Sequence, residues 1–168
     1  MDRAELQAAQ KPLKERYREE PATALITLRA DGTLDEEQIA CKVETGRVLV
    51  EAGLHPATGG TGALACSGDM LLEALVACAG VTLRSVATSM ELDVAGSVHA
   101  EGDLDFRGTL GVDREASVGF TGIRLRFDLA SDESEEALDK LLELTERYCV
   151  VGQTLAGGVP VDFSYSTS

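Results

Sequence analysis

Apolar residues in this chain recur first with a helical period, then with a strand period, then with a helical one again, and the switches mark out its elements. Over residues 5–19, Leu6, Ala9, Leu13 and Tyr17 fall on one side at spacings of three and four, while Lys11, Lys14, Glu15, Arg18 and Glu19 are polar. This is an amphipathic helix in which Pro12 is expected to start a second segment or a kink, and which Pro21 closes. From residue 22 the pattern changes to strands. Residues 24–29 are β-prone, Asp31-Gly32 is a turn signal, residues 38–43 resume, Thr45-Gly46 turns, and residues 47–50 follow. An antiparallel meander is predicted over residues 22–52. Residues 53–62, rich in Gly with one Pro, form a loop.

A long helix is predicted over residues 67–90, with Ser67 or Asp69 as its N-cap. Met70, Leu71, Leu72, Ala74, Leu75, Val76 and Ala77 make it apolar almost all round. Such a helix is buried on most sides, at the centre of a fold or at a dimer seam. Arg84, Ser85 and Ser89 give it a wetter end. Residues 94–105 alternate loosely, and residues 123–129 alternate strictly, with Ile123, Leu125, Phe127 and Leu129 on one face, so one side of that sheet meets water. The segment between them holds weaker strand material and turns. Asp132-x-x-Glu135 reads as a capping box opening a helix with Leu138, Leu141, Leu142, Thr145 and Cys149 on its apolar face. Gly152, Gly157 and Gly158 then loosen the chain, and a last strand is predicted over residues 159–165. The whole is one α+β domain over residues 1–168, with a helical extension at 1–20 and cysteine helices plus a C-terminal sheet at 67–168.

A length of 168 residues fits a single domain or one protomer of a compact oligomer. The formal net charge of −14 repels nucleic-acid phosphates and anionic membrane surfaces, so neither is expected as a partner. Trp is absent and aromatic residues make up 4% of the chain, leaving Leu, Val, Ala and Ile to build the core. The charged N-terminus lacks the apolar run of a signal peptide. Residues 70–81, interrupted by Glu73, are too short to span a bilayer. Cytoplasmic residence with reduced thiols is the expectation. The glycines of 53–62 lack the Gly-Lys-Ser/Thr ending of a P-loop, and no GxGxxG leads from a strand into a helix, so no nucleotide cofactor is expected.

Four cysteines, Cys41, Cys66, Cys78 and Cys149, are too few and too scattered for a disulfide scaffold, and their spacing with His55 and His99 does not suit zinc. Cys78 and Cys149, each in a helical setting, are the candidates for chemistry. A thiolate attacks a peroxide oxygen, becomes a sulfenic acid, and condenses with a second thiol. The plain alternative is that both are small buried hydrophobes.

Two motifs sharpen the choice: residues 67–78, Ser-Gly-Asp-Met-Leu-Leu-Glu-Ala-Leu-Val-Ala-Cys, and residues 146–151, Glu-Arg-Tyr-Cys-Val-Val. With them in this order among these elements, the chain resembles the OsmC/Ohr family of osmotically induced and organic hydroperoxide resistance proteins. The resemblance implies an OsmC-like fold: antiparallel sheets wrapped around two central helices in an intertwined homodimer. It implies a thiol-dependent peroxidase that reduces organic hydroperoxides, with Cys78 peroxidatic, Cys149 resolving, and a dithiol such as a lipoyl protein as reductant. It also implies a Glu three residues before the second cysteine, here Glu146, and an Arg from the N-terminal strands, here Arg29 or Arg47. An arginine beside the thiol offsets the burial that would raise its pKa.

The chain departs from the family pattern at Gly68, where a Glu is expected and only Asp69 next door can substitute with a shorter reach. It departs again at Val150, where a Pro follows the second cysteine. These departures motivate a second reading, a catalytically weak or inactive dimer that binds a small apolar ligand or senses oxidants. Of the other candidates, Cys66 reads as an alternative resolving thiol or a loop cysteine, and Cys41 as core. His55 reads as a satisfied loop histidine, and Arg84 as a surface-pair residue.

Overall fold

The computed structural model describes residues 3–34, 41–43, 52–63 and 65–167. Helix α1, Arg3–Glu19, runs without a break through Pro12. The proline removes one N–H, and exposed Ala8, whose carbonyl loses that donor, can turn to water instead. A 3-10 turn, Pro21–Ala24, leads into β1, Leu25–Leu34. The turn expected at Asp31-Gly32 does not form. Both residues lie inside β1, opposite His99 and Val98, and a long cross-strand register overrides the local preference. β2, Cys41–Val43, returns antiparallel to β1. The turn at Thr45-Gly46 and the strand over residues 47–50 fall outside the described residues.

β3, Ala52–Gly53, and β4, Ala65–Cys66, pair in parallel across the glycine-rich loop. A 3-10 turn, Pro56–Thr58, ends at Gly59 with φ 94, where glycine carries no Cβ penalty. α2, Ser67–Ser89, follows; its N-cap is Cys66, without a side-chain hydrogen bond, and not Ser67 or Asp69. Next come β5, Ala95–Asp105, the single turn α3, Phe106–Thr109, and β6, Phe120–Ala130. Ser134, not Asp132, caps α4, Glu135–Tyr148: its hydroxyl accepts from Ala137 N–H at 3.3 Å, and the predicted capping box is replaced by this single bond.

Two departures stand at the C-terminus. Residues expected to be loose form α5, Val150–Gly157, which Gly158 ends at φ 59. The strand expected over residues 159–165 pairs with no strand among the described residues, and Val159, Val161, Phe163 and Tyr165 stand exposed.

The main sheet has the order β2-β1-β5-β6, antiparallel throughout. α2 packs on β1 and β5 from one side and on α4 and α5 from the other. Leu72, Leu75, Val76, Ala79, Leu83 and Ala87 of α2 are buried with Val98, Ala100 and Leu141. Each such Leu or Val contributes about 1.5–3 kcal/mol on burial. By length and composition alone α2 is long and apolar enough to cross a bilayer, which corrects the sequence expectation, yet these residues face protein. On the far side of the sheet Arg124 pairs with Asp103 and Glu101, and Arg126 with Asp128. A second cluster joins Tyr17, Ala24, Ala57, Phe106 and Leu110, and Tyr17 Oη donates to the Ala57 carbonyl at 2.8 Å, tying α1 to the glycine-rich loop.

α2 stops in a Schellman turn. Leu92 N–H donates to Ala87 O at 2.9 Å and Glu91 N–H to Thr88 O at 3.2 Å, which requires Glu91 to take φ 58. A left-handed conformation costs a residue with a Cβ about 1–2 kcal/mol, offset in part by the greater chain entropy that glycine loses on folding. Glu91→Gly is therefore expected to stabilise the protein by about 0.5–1 kcal/mol, read as a higher urea midpoint with an unchanged slope. A lower midpoint would contradict this account of the helix stop.

Candidate active site

Cys78 sits at the middle of α2, half-buried, with the apolar neighbours that make this helix central. Cys149 occupies the junction of two helices. It is the C-cap of α4 and the N-cap of α5, and its φ of −71 and ψ of 102 turn the chain between them. Its backbone N–H donates back to Thr145 O at 2.9 Å, and its carbonyl accepts Gln153 N–H at 2.8 Å. Its Sγ accepts Gly152 N–H at 3.3 Å, and only 3% of the residue reaches solvent. α4 and α5 both pack on α2, and Cys149 and Cys78 lie near enough that each shifts the other's thiol.

Both sulfurs are free thiols in different environments. Burial pushes the Cys78 thiol up, but hydrogen bonds from Val151 N–H, the Cys149 thiol, the Thr82 hydroxyl and Val150 N–H outweigh it and leave Cys78 below the usual thiol range. Cys149 is pushed up, first by burial and then by its hydrogen bond to Cys78 and the charge there, against the Gly152 and Val151 amides. The two thiols are thus shifted in opposite directions, and Cys78 is the more acidic of the pair. A low-pKa sulfur is the nucleophile of such a pair, and a protonated neighbour in contact is placed to condense with whatever the nucleophile becomes.

Beside Cys149 opens a cleft of about 600 Å³ between β6 and the helices. Leu75, Phe120, Ile123, Leu125, Phe127 and Leu155 give it apolar walls; Glu146, Thr145 and Gln153 bring polar groups to it. The alternation read from the sequence makes this wall, since Ile123, Leu125 and Phe127 are half-buried while Arg124, Arg126 and Asp128 are exposed.

The other sequence candidates are distributed differently. Glu146 is exposed, one turn before Cys149, at the same cleft. Asp69 lies in the first turn of α2, nine residues before Cys78 and about 13 Å away along the helix axis. Burial raises its carboxyl, and His55 opposes that rise. Arg29 belongs to β1, in register with Glu101 of β5. Arg47 lies outside the described residues. Cys66, the N-cap of α2, is twelve residues from Cys78, about 18 Å along the axis. His55 Nδ1 accepts from Ala57 N–H at 3.0 Å and its ring stacks on Phe106 at 5.0 Å. Arg84 Nη1 donates to Val94 O at 3.0 Å. Among the described residues no three His, Cys, Asp or Glu side chains gather as a metal site.

Three groups that lower the Cys78 thiol escaped the sequence reading. Thr82 stands four residues further along α2, on the same face, so helical spacing alone could have found it. The amides of Val150 and Val151 carry no side-chain signal, and only the replacement of the expected Pro by Val150 hints at them.

These features can be set against known proteins. The family model for OsmC-like protein matches residues 60–164, which is more than half the chain and includes both cysteines. The chain belongs to the OsmC-like family. Among solved structures this OsmC-like chain is similar to an OsmC-like hydroperoxide resistance protein from Jannaschia sp. CCS1, with a TM-score of 0.54 and 16% identity. The match covers 86% of this chain and 94% of that one. At that identity the likeness speaks for the fold. No curated protein matches the sequence.

Proposed function

We propose that this OsmC-like protein is a thiol-dependent peroxidase of organic hydroperoxides. The observation that carries the reading is that Cys78 and Cys149, 71 positions apart in the sequence, lie on elements that pack together and have their thiols shifted in opposite directions, Cys78 down and Cys149 up. The family match and the hydroperoxide-resistance name of the structural neighbour support it.

In the first step the Cys78 thiolate attacks the terminal oxygen of ROOH. An S–O bond forms, the O–O bond breaks, and the departing alkoxide takes a proton to leave as ROH, so sulfur is oxidised by two electrons. In the second step Cys149 sulfur attacks the resulting sulfenic acid, and its proton leaves with the hydroxyl as water while the S–S bond forms. A dithiol of the lipoyl type then exchanges onto the disulfide, is itself oxidised to a disulfide, and returns both cysteines to thiols. The apolar cleft beside Cys149 suits an alkyl tail, each Å² buried being worth about 25 cal/mol. Glu146, Asp69 and either Arg29 or Arg47 complete the assigned site residues, and the cytoplasm, where thiols start reduced, is the assigned compartment.

The working form we propose is a homodimer. Val159, Val161, Phe163 and Tyr165 alternate like a strand, and Phe163 is 94% exposed. β6 is an edge of the sheet, so a segment from a second copy has a strand to pair with. The full-length variant carrying both Val161→Asp and Phe163→Asp should sediment as a monomer where wild type sediments as a dimer, and wild-type mass in the variant would remove this support.

A second reading, a catalytically weak dimer that binds an apolar ligand or senses oxidants, is favoured by one observation: Cys149, and not Cys78, lines the cleft. The two are separated by turnover. With cumene hydroperoxide and dihydrolipoamide, wild type should consume peroxide catalytically. Cys78→Ser should fall by at least 100-fold, and Cys149→Ser should give about one equivalent and stop. Peroxide consumption that survives Cys78→Ser would overturn the assignment, and binding without turnover in wild type would favour the second reading.

A further inference from the structure

Gly102 lies inside β5, at a buried position, and its backbone is ordinary strand. A glycine there weakens the strand and needs no left-handed freedom, so what calls for it is the close approach of another group. That group is Phe120. A methyl group at position 102 would stand 2.4 Å from Phe120 Cε1, 2.5 Å from its Cδ1 and 3.4 Å from Leu72 Cδ2. The register explains the approach. Phe120 is opposite Leu104, Gly122 is opposite Asp103, and Thr121 is the extra residue between them, its hydroxyl donating to Asp103 O at 3.1 Å. Such a bulge re-aims the side chain beside it, and here the Phe120 ring lies against Gly102.

We infer that Gly102 sets the depth of the cleft beside Cys149, and with it the size of tail a hydroperoxide can carry, by leaving Phe120 room to lie against the sheet. Phe120 is half-buried and lines that cleft with Leu75, Ile123 and Cys149, whereas Gly102 acts on it only through the ring. Non-bonded carbons sit about 3.5–4.0 Å apart, so a Cβ at position 102 displaces the ring by about 1 Å or more. Leu72 is fully buried and gives no ground, which leaves the cleft as the side to which the ring moves. Gly102 is thus a positioning residue. The inference deepens the peroxidase reading and rests on it for the identity of the occupant, an alkyl or aryl tail, though the depth of the cleft is measurable without any peroxide.

The probe is 2-phenyl-2-propanol, the alcohol that cumene hydroperoxide leaves, which carries the tail and no O–O bond. Its Kd is measured by NMR titration of the reduced full chain for wild type, Gly102→Ala, Phe120→Ala and the double variant. A pocket narrowed by one methyl group loses roughly tenfold in affinity, which is the rise in Kd expected for Gly102→Ala. With the ring gone there is nothing to displace, so adding Gly102→Ala to Phe120→Ala should change Kd by less than about twofold. An unchanged Kd in Gly102→Ala, or the same loss with and without the ring, would overturn the inference. So would a wild type that takes up no 2-phenyl-2-propanol.

Should Gly102→Ala lose the circular dichroism of the folded chain, the wild-type protein decides alone. Nuclear Overhauser contacts should join the Gly102 α-protons to the Phe120 ring, and the same ring to bound 2-phenyl-2-propanol; the absence of either would overturn the inference. Turnover of cumene hydroperoxide with dihydrolipoamide tests the peroxidase reading separately. Binding that depends on the ring in wild type that does not turn over keeps the inference and removes that reading. Turnover without the ring-dependent loss gives the reverse.

Discussion

A helix apolar on nearly every side must be covered on nearly every side, and the burial of α2 is the constraint from which the rest of this fold follows. β1 and β5 cover one flank and α4 with α5 the other, so sheet and helices converge on α2. Cys78 stands there. Were α2 amphipathic in the ordinary way, α4 and α5 would have no apolar surface to close on, and Cys149 would have no reason to lie beside it.

What α2 brings together, the junction at Cys149 makes chemically unequal. One residue ends a helix and starts the next, and in doing so spends its carbonyl and its sulfur on two of the four N–H groups that open α5. A buried thiol would ordinarily hold its proton more tightly than in water. Here amide donors, a hydroxyl and a neighbouring thiol reverse that at Cys78, while at Cys149 burial prevails over the amides that oppose it. The two cysteines are therefore distinguished by their surroundings, with both residues being the same amino acid.

Much of this was legible in the sequence. The apolar run of α2, the strict alternation of β6 and the face of α4 are long, periodic signals, and each appears where its period puts it. The misses have local causes. Asp31-Gly32 is a turn signal only if no long strand pairs across it, and β5 does. α5 is short and carries Gly152, so periodicity could not claim it, although Gly157-Gly158 gave its stop. The cap of α4 moved by two residues because Ser134 competes with Asp132 for the same role. At the site, the side-chain candidates Cys78 and Cys149 were readable and their contact was not, since it depends on how two distant helices pack. Backbone donors are invisible to any reading of side chains. The strand expected over 159–165 has the right alternation and, among the described residues, no strand to pair with.

The central claim is that Cys78 and Cys149 act as one redox pair. The most direct measurement is to treat the reduced protein with one equivalent of cumene hydroperoxide, block the remaining thiols and map the linked peptides by mass spectrometry. The account predicts rapid formation of a Cys78–Cys149 disulfide, with Cys41 and Cys66 recovered as blocked thiols. Recovery of all four cysteines as free thiols after minutes, or a disulfide that excludes Cys78, would contradict it.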